Sequence, residues 1–242
     1  MKLYYDLHIH SALSPCGDED MTPNNIVNMA RLKGLDVIAI TDHNTCKNAE
    51  AVMKCGMDAG VLVVPGMEVE SMEEVHLVAL FPSLETAMAF DEFISNHLPP
   101  IKNKPDIFGE QILYDENDNV KGYIENLLIT ATDLPIGDIV SEVDKLGGAI
   151  FPSHIDKDSY SILSNLGFFP DDIEFGAVEI KDVEKTDKLV QNHNLQNHII
   201  LHNSDAHFLW DISEREYFFE MDEKNVECVV KALRKSRKIC EK

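Results

Sequence analysis

The sequence predicts one α/β domain in which strands and helices alternate around a closed or nearly closed barrel. The chain has 242 residues, of which 44% are hydrophobic, and this is enough for one sizeable core. Strand-like and helix-like segments alternate through about seven repeats, which is the pattern of parallel βαβ units in a barrel. A doubly wound open sheet is the alternative, but no glycine-rich phosphate-binding pattern follows the first predicted strand.

The first half of the chain contains four predicted strands and three predicted helices. Apolar runs at residues 4–9, 37–40, 61–65 and 75–81 are typical of strands in the core of such a domain. Thr22 and Pro23 form a helix start, and Gly34 and Gly60 form helix stops, so we predict helices at residues 23–33 and 47–59. The apolar spacing of residues 84–97 predicts the third helix.

Residues 99–120 interrupt this alternation with three prolines and an Asp- and Asn-rich cluster. We predict an insertion here that contains a hairpin or a loop covering the substrate. The alternation then resumes, with predicted helices at 136–146, 159–166, 184–193 and 225–238 and predicted strands at 149–151, 178–180, 199–201 and 217–219. The chain is therefore interpreted as a single domain over residues 1–242, with an insertion at 99–120.

The charge balance restricts the class of partner. The chain has 21 basic and 43 acidic residues, a net charge of -22, which argues against a general nucleic-acid binder and against an anionic membrane surface. An anionic small substrate stays possible because bound cations can dominate the local field. No apolar run approaches the roughly 20 residues that cross a bilayer, and no signal-peptide pattern begins the chain. The five cysteines are scattered, so we expect a reduced, cytoplasmic protein.

Imidazoles and carboxylates fall on or just after the predicted strands. These residues are His8, His10, Asp42, His43, Glu68, His76, His154, Asp205 and His207. In a parallel barrel the strand ends meet at one rim, where active sites are built. His8 and His10 share a face of one strand, and Asp205 and His207 do likewise if the chain stays extended there. Such nitrogen and oxygen ligands suit Zn, Mn or Fe, and a glutamate can bridge two ions, so the sequence predicts a metal site.

Six segments carry a resemblance to a known family. They are Asp6-Leu7-His8-Ile9-His10-Ser11, Thr41-Asp42-His43-Asn44, Gly66-Met67-Glu68, His76, Pro152-Ser153-His154 and Ser204-Asp205-Ala206-His207. In this order they resemble the four-motif pattern of the PHP (polymerase and histidinol phosphatase) family. The resemblance implies a distorted (β/α)7 TIM-like barrel, kinship with the amidohydrolases, and two or three divalent metal ions.

The resemblance also implies a role for each ligand. It assigns the first ion to His8, His10, Glu68 and Asp205, the second to Glu68, His76 and His154, and the third to His43 and His207. Asp42 resembles a residue that orients its neighbours. The sequence departs from the pattern at Cys16, which aligns with a family histidine. Its thiolate could bind the third ion, Asp18 could do so instead, or Cys16 could be a structural or exposed residue.

The resulting hypothesis is hydrolysis of a phosphate ester of a small metabolite or nucleotide by a hydroxide held between two ions. Glu68 would bridge the ions, Asp42 would orient their ligands, and Asp205 or His207 would move protons. Lys157 and Arg215 are the candidate substrate-binding cations. We expect a small phosphorylated substrate as partner, with no direct evidence for nucleic acid and none for a membrane. The alternatives are an amidohydrolase-type C–N hydrolase and a non-catalytic metal-binding module.

Overall fold

The computed structural model describes residues 1–234 as an α/β fold with ten strands and eight α-helices in that range. The strands are β1 (Lys2–Ile9), β2 (Val37–Ile40), β3 (Leu62–Glu70), β4 (His76–Leu80), β5 (Ile112–Tyr114), β6 (Val120–Tyr123), β7 (Ala149–Pro152), β8 (Ala177–Glu179), β9 (Ile199–Leu201) and β10 (Phe218–Glu220). The helices are α1 (Pro23–Leu32), α2 (Ala49–Ala59), α3 (Leu84–Ser95), α4 (Pro105–Phe108), α5 (Ile136–Lys145), α6 (Ile162–Leu166), α7 (Thr186–Asn192) and α8 (Val226–Leu233).

The main sheet has six strands in the order β10-β1-β2-β3-β4-β7, and β8 and β9 form a separate parallel pair. This pair lies between the two ends of the main sheet. On one side the Ile155 amide after β7 donates to the Glu179 carbonyl at 2.9 Å, and on the other Ile9 of β1 bridges to Ala206 after β9. The curled sheet confirms the predicted α/β, TIM-like fold. Within residues 1–234 it is a partial barrel of mixed strands rather than a ring of seven parallel ones.

Strand β4 differs from the prediction of uniformly parallel strands. It pairs antiparallel with both β3 and β7, whereas β1, β2 and β3 are parallel. The connection from Glu70 to His76 is a short turn, and a parallel crossover needs a dozen or more residues. A further strand, β10, pairs antiparallel with β1 at the edge of the sheet.

Most predicted helices are present with shifted ends. Thr22 caps α1 through its side chain, as its position predicts, whereas α6 begins at Ile162 behind the Ser161 cap rather than at residue 159. The predicted helix at 184–193 divides into a 3-10 turn and α7. The closing helix α8 ends at Leu233, and predicted helical residues 235–238 lie outside the described residues.

The segment predicted as an insertion contains the short helix α4 and the β5–β6 hairpin. The hairpin packs on the loop after β1 and on the first two helices. Ile112 donates its amide to the Ala12 carbonyl at 2.9 Å, and Asn24 donates its amide to Asp118 Oδ1 at 3.0 Å. The segment therefore braces one side of the sheet, and its role in covering a substrate stays a prediction.

The hydrophobic core is divided among both faces of the curled sheet. The largest cluster joins β3, β4 and β7 to α3 and α5 and contains the fully buried rings of Phe81 and Phe90, whose centroids are 5.0 Å apart. Burial of these side chains fixes the strands whose ends carry the polar residues. Among residues 1–234 no helix is both long and apolar enough to cross a membrane.

We expect Phe90→Ala to lower the free energy of unfolding by about 3–5 kcal/mol, because it leaves a cavity beside Phe81 in a closely packed core. Urea denaturation followed by circular dichroism measures this change. Leu32→Ala is the control, since Leu32 is 76% exposed and its loss should shift stability by less than about 0.5 kcal/mol. Equal effects of the two substitutions would contradict this assignment of the core.

Candidate metal centre

The polar residues meet at one rim of the sheet, although the strands are not all parallel. His8 lies in β1, His10 follows it, and Glu68 lies within β3. The antiparallel strand β4 begins at this same rim, so its first residue, His76, faces Glu68 without any crossover helix. His154 follows β7, which runs parallel to β3 because both are antiparallel to β4.

The carboxylate of Glu68 is the centre of this cluster. Five imidazole nitrogens surround it, with distances of 3.2 Å from His8 Nε2, 3.3 Å from His10 Nε2, 3.2 Å from His43 Nδ1, 3.1 Å from His76 Nδ1 and 3.3 Å from His154 Nε2. Glu68 is 1% exposed, yet neither of its oxygens has a hydrogen-bond partner among the described residues. Buried carboxylates are rarely left unsatisfied, so these oxygens point to a cation shared with the imidazoles.

Three groups of side chains bring their ligand atoms within 4.8 Å of one another. They are His8, His10, Glu68 and Asp205; His43, Glu68 and His76; and His10, His43 and His207. Their imidazole and carboxylate donors fit Zn, Mn or Fe. The first group has the composition implied by the family resemblance. The second contains His43 where His154 was expected, although His154 also contacts Glu68, and the third joins His10 to His43 and His207.

The protonation states reflect this crowding of charge. Burial alone would raise the pKa of Glu68, but the imidazoles of His76 and His8 lower it well below its usual range. Burial would likewise lower the pKa of His76, but the Glu68 carboxylate raises it to about 9. Burial and nearby His10 lower the pKa of His207 to about 4. Without a metal ion, protons on histidines such as His76 therefore offset the negative charge of the carboxylates. A metal ion that binds these nitrogens must displace those protons.

Two further residues orient the histidines of β1, and sequence reasoning missed both. Glu179 at the end of β8 is fully buried, and its oxygens lie 3.0 and 3.1 Å from His8 Nδ1. Ser14 Oγ lies 2.9 Å from His10 Nδ1 and donates to Asp42 Oδ1 at 2.7 Å. Each imidazole thus directs Nε2 towards Glu68 at the centre of the cluster. A glutamate within the apolar run Val178-Glu179-Ile180 was the available signal.

Asp42 lies beside the cluster, in contact with Ser14, in a position to orient the neighbouring residues. Its carboxylate also accepts hydrogen bonds from the Ser11 amide and hydroxyl, each at 2.7 Å, so it ties the loop after β1 to β2. It reaches His10 only through Ser14.

The loops at this rim contain unusual backbone conformations. Asp205 has φ 52° and His154 has φ 30°, a region that residues other than glycine rarely adopt. The chain is therefore not extended at Asp205. Asp205 and His207 do not share one face of a strand, as an extended chain would require. Asp205 instead turns towards His8 and His10, with Oδ1 at 3.5 and 3.4 Å from their Nε2 atoms. Such backbone strain is common where side chains are positioned for function.

Cys16 does not join the three ligand groups. It is exposed on a loop, and neither it nor Asp18 belongs to any potential metal group among residues 1–234. Asp18 is connected to the site only by its backbone amide, which donates to the His207 carbonyl at 2.9 Å. The third group is completed by His10 instead, because the ring centroids of His10 and His207 are 4.2 Å apart.

Arg215 is the candidate that the structure places away from the site. Its guanidinium carbon lies 3.7 Å from the centroid of the Tyr4 ring, and its Nε donates to the Gly34 carbonyl at 3.0 Å. Tyr4 lies near the start of β1, at the opposite end of that strand from His8. The structure therefore does not bring Arg215 to the cluster, because a stacking contact and the carbonyl of Gly34 hold its side chain elsewhere.

Lys157 lies at the mouth of the metal centre. Together with Glu68, His76, Tyr160 and Asp205 it lines an open pocket of about 160 Å³. Its ammonium lies 2.5 Å from Asp205 Oδ2. Burial would lower the pKa of Lys157, but Asp205 raises it above its usual value, so the side chain stays cationic.

We expect Glu179→Gln to weaken the affinity for Zn²⁺ or Mn²⁺ by about 10- to 100-fold, because His8 loses the charged partner that orients its ring. Competition with a chelating dye measures this affinity, and the melting temperature of the metal-free protein shows whether the fold persists. Glu184→Gln, at an exposed glutamate, is the matched control and should leave affinity unchanged. Equal affinities of the two variants would refute the orienting role of Glu179.

Solved structures with similar folds include enzymes that cleave nucleic acid. Endonuclease Q from Pyrococcus furiosus, a lesion-specific endonuclease, superposes with a TM-score of 0.67 and 20% identity, over 97% of this chain and 56% of that one. Endonuclease Q is also known in complex with a 27-mer duplex that has an abasic lesion at the active site. A proposed metal-dependent phosphoesterase from Bifidobacterium adolescentis superposes with a TM-score of 0.58 and 18% identity, over 96% of this chain and 95% of that one.

Curated relatives share shorter stretches with this chain. A 5'-3' exoribonuclease from Haemophilus influenzae is 30% identical over 79 residues, which cover 31% of this chain and 28% of the enzyme. The matches span less than half the length of each curated relative.

These neighbours correct the expectation of a small phosphorylated partner without nucleic acid. Endonuclease Q holds duplex DNA at its active site on a fold that this chain shares. The net charge of -22 was the basis of the expectation, but net charge describes the whole surface and not the site.

The sequence model of the PHP domain matches residues 6–181, which is well over half of the chain. This range includes His8, Glu68 and His154, and two further residues of the potential ligand groups, Asp205 and His207, follow it. The chain therefore belongs to the PHP domain family.

Proposed function

We propose that the protein hydrolyses phosphodiester bonds in a nucleic acid, with two or three divalent ions held by the three ligand groups of the rim. The observation that carries the proposal is the convergence of five imidazoles on the buried carboxylate of Glu68, whose oxygens accept no hydrogen bond from the described residues. Glu68, His10 and His43 each belong to two of the ligand groups, and of these only Glu68 has two carboxylate oxygens, so it is the residue that could contact two ions.

Bound ions would supply activation of water and stabilisation of charge on the phosphoryl oxygens. The side chains of the protein have separate tasks. His207 Nδ1 lies 3.0 Å from the Asp205 carbonyl, and a proton on Nδ1 leaves Nε2 free as a ligand or proton acceptor. Asp205 divides its carboxylate, with Oδ1 towards His8 and His10 and Oδ2 towards Lys157. Lys157 offers a positive charge to a phosphate oxygen at the pocket mouth.

The size and lining of the pocket support a polymeric substrate. A pocket of about 160 Å³ is smaller than the roughly 300–1,000 Å³ of a typical small-molecule site. It has room for a phosphate group, and the rest of the substrate must lie outside. Tyr160 lines the pocket and is 46% exposed. Phe208 and Trp210, which follow His207 in the chain but do not line this pocket, are 52% and 77% exposed. Unpaired bases stack on such rings, which favours a substrate with single-stranded or splayed nucleotides.

We expect Glu68→Gln to lower phosphodiester hydrolysis by more than about 100-fold and to weaken metal binding, because the neutral amide cannot bridge two cations. The assay uses labelled DNA and RNA oligonucleotides, single-stranded and duplex, with the Mn²⁺- or Zn²⁺-loaded protein. Glu85→Gln, at an exposed glutamate of α3, is the control. Full activity of Glu68→Gln would exclude this mechanism, and no cleavage of any oligonucleotide by the unaltered protein would exclude the proposed substrate class.

We expect Lys157→Ala to raise KM for an oligonucleotide by about tenfold, since one charge-assisted contact to phosphate is lost. Steady-state kinetics at fixed ionic strength separate KM from kcat. Lys102→Ala is the control, because Lys102 is 83% exposed and pairs only with the equally exposed Glu125 among its described ion pairs. An unchanged KM for Lys157→Ala would remove Lys157 from the substrate site.

A further inference from the structure

Lys181 is a second cation beside the metal centre, and neither the sequence motifs nor the proposed mechanism uses it. It lies just beyond β8, close in sequence to Glu179. Its ammonium is 3.6 Å from Asp205 Oδ2, the same oxygen that Lys157 contacts at 2.5 Å. The two lysines come from different loops, after β7 and after β8, and meet at this one atom.

At this point two ammonium groups share one carboxylate. Two ammonium groups contact Asp205 Oδ2, while Oδ1 of the same carboxylate faces His8 and His10. One carboxylate cannot neutralise both lysines and also serve as a metal ligand. Two ammonium groups are therefore present together at this edge of the site, in a chain whose net charge is -22.

Two other carboxylates of these loops, Asp156 and Asp182, already have partners. Asp156 accepts hydrogen bonds from the amides of Lys181 and Asp182, at 2.8 and 2.9 Å, and so ties the loop after β7 to the loop after β8. Asp182 pairs with Lys185 at 3.5 Å. The backbone of Lys181 is thus held in place, and its ammonium contacts Asp205 rather than either of these nearby acids. A held backbone reduces the entropy lost when the side chain binds an anion.

The two lysines differ in their position relative to the pocket. Lys157 is 38% exposed and lines the pocket, whereas Lys181 is 43% exposed and is not among the described residues that line it. An anion that enters the pocket meets Lys157 first. Lys181 is available to a second anion that lies just outside, beyond the loop after β8.

We propose that Lys181 binds a second phosphate of the same nucleic-acid strand, next to the phosphate that is cleaved. The inference rests on the proposed function, because only a substrate with several phosphates can occupy both positions. An ammonium binds phosphate as a point charge and tolerates varied geometry, which suits a contact to the strand backbone without base selection. Lys181 is then a specificity-determining residue that favours a strand over a substrate with a single phosphodiester.

The experiment compares the metal-loaded full chain with its Lys181→Ala, Lys181→Arg and Lys185→Ala variants. Lys185 is a matched control, since it is 53% exposed on the same segment and pairs with Asp182 rather than Asp205. Each protein is given a short single-stranded oligonucleotide and, separately, bis(p-nitrophenyl) phosphate, which has one phosphodiester. Binding without cleavage is measured by fluorescence anisotropy with a phosphorothioate oligonucleotide over a range of salt concentrations.

We expect Lys181→Ala to raise KM for the oligonucleotide about tenfold with kcat unchanged, and to alter KM for the small ester by less than about twofold. Lys181→Arg should restore most of the loss. In anisotropy, Lys181→Ala should weaken binding about tenfold and lower the slope of log affinity against log salt by about 0.7, the value for one phosphate contact on a single strand. Lys185→Ala should change none of these quantities.

Two results would overturn the inference. Equal losses on both substrates would mean that Lys181 acts on Asp205 or on the cleaved phosphate, and unchanged binding in Lys181→Ala would mean that no second phosphate is held there. Failure of the unaltered protein to hydrolyse either substrate would instead overturn the proposed function. The anisotropy measurement would then still decide whether Lys181 contacts the strand.

Discussion

The buried carboxylate of Glu68 is the constraint on which the rest of this structure depends. Removing a charged carboxylate from water costs several kcal/mol unless opposite charge replaces the lost hydration. No backbone amide or hydroxyl performs this task among the described residues, and imidazoles surround the group instead. The site is therefore stable only when protons or metal ions stand between Glu68 and its neighbours. The pKa of His76 is accordingly raised to about 9, because a proton on its imidazole offsets the charge of Glu68.

The mixed sheet explains how so many ligands reach one carboxylate. In a fully parallel barrel each ligand comes from the end of a different strand, and each strand requires its own crossover helix. Here β4 runs antiparallel, so its first residue reaches the same rim as the carboxyl end of β3 through a short turn. Glu70 and His76 are direct partners across this turn, which places His76 within 3.1 Å of Glu68. One antiparallel strand thus adds a ligand without another helix.

How much of the fold and the site can be predicted depends on whether a signal is local in the sequence. Strand ends and the residues on them are local, so the amino-acid pattern alone indicates the rim and its histidines. The supports of those histidines are not local: Glu179 is 171 positions from His8, and no periodicity links them. The same limit applies to Arg215, whose partner Gly34 is 181 positions away. The predicted direction of β4 was wrong for a different reason, since apolar runs reveal strands but not their direction.

The charge of the protein illustrates the difference between a surface average and a site. A net charge of -22 opposes association with nucleic acid at long range, and this effect is screened beyond about 8 Å at physiological ionic strength. Within that distance, the attraction or repulsion of a phosphate depends on the charges nearest to it. These include any ions that the metal ligands hold and the ammonium groups of Lys157 and Lys181. An acidic exterior with a cationic site would repel most nucleic-acid surface and retain only a strand that reaches the centre. On the proposed function, such a protein would gain selectivity for ends or unpaired segments at the expense of general affinity, because these approach a small open pocket most easily.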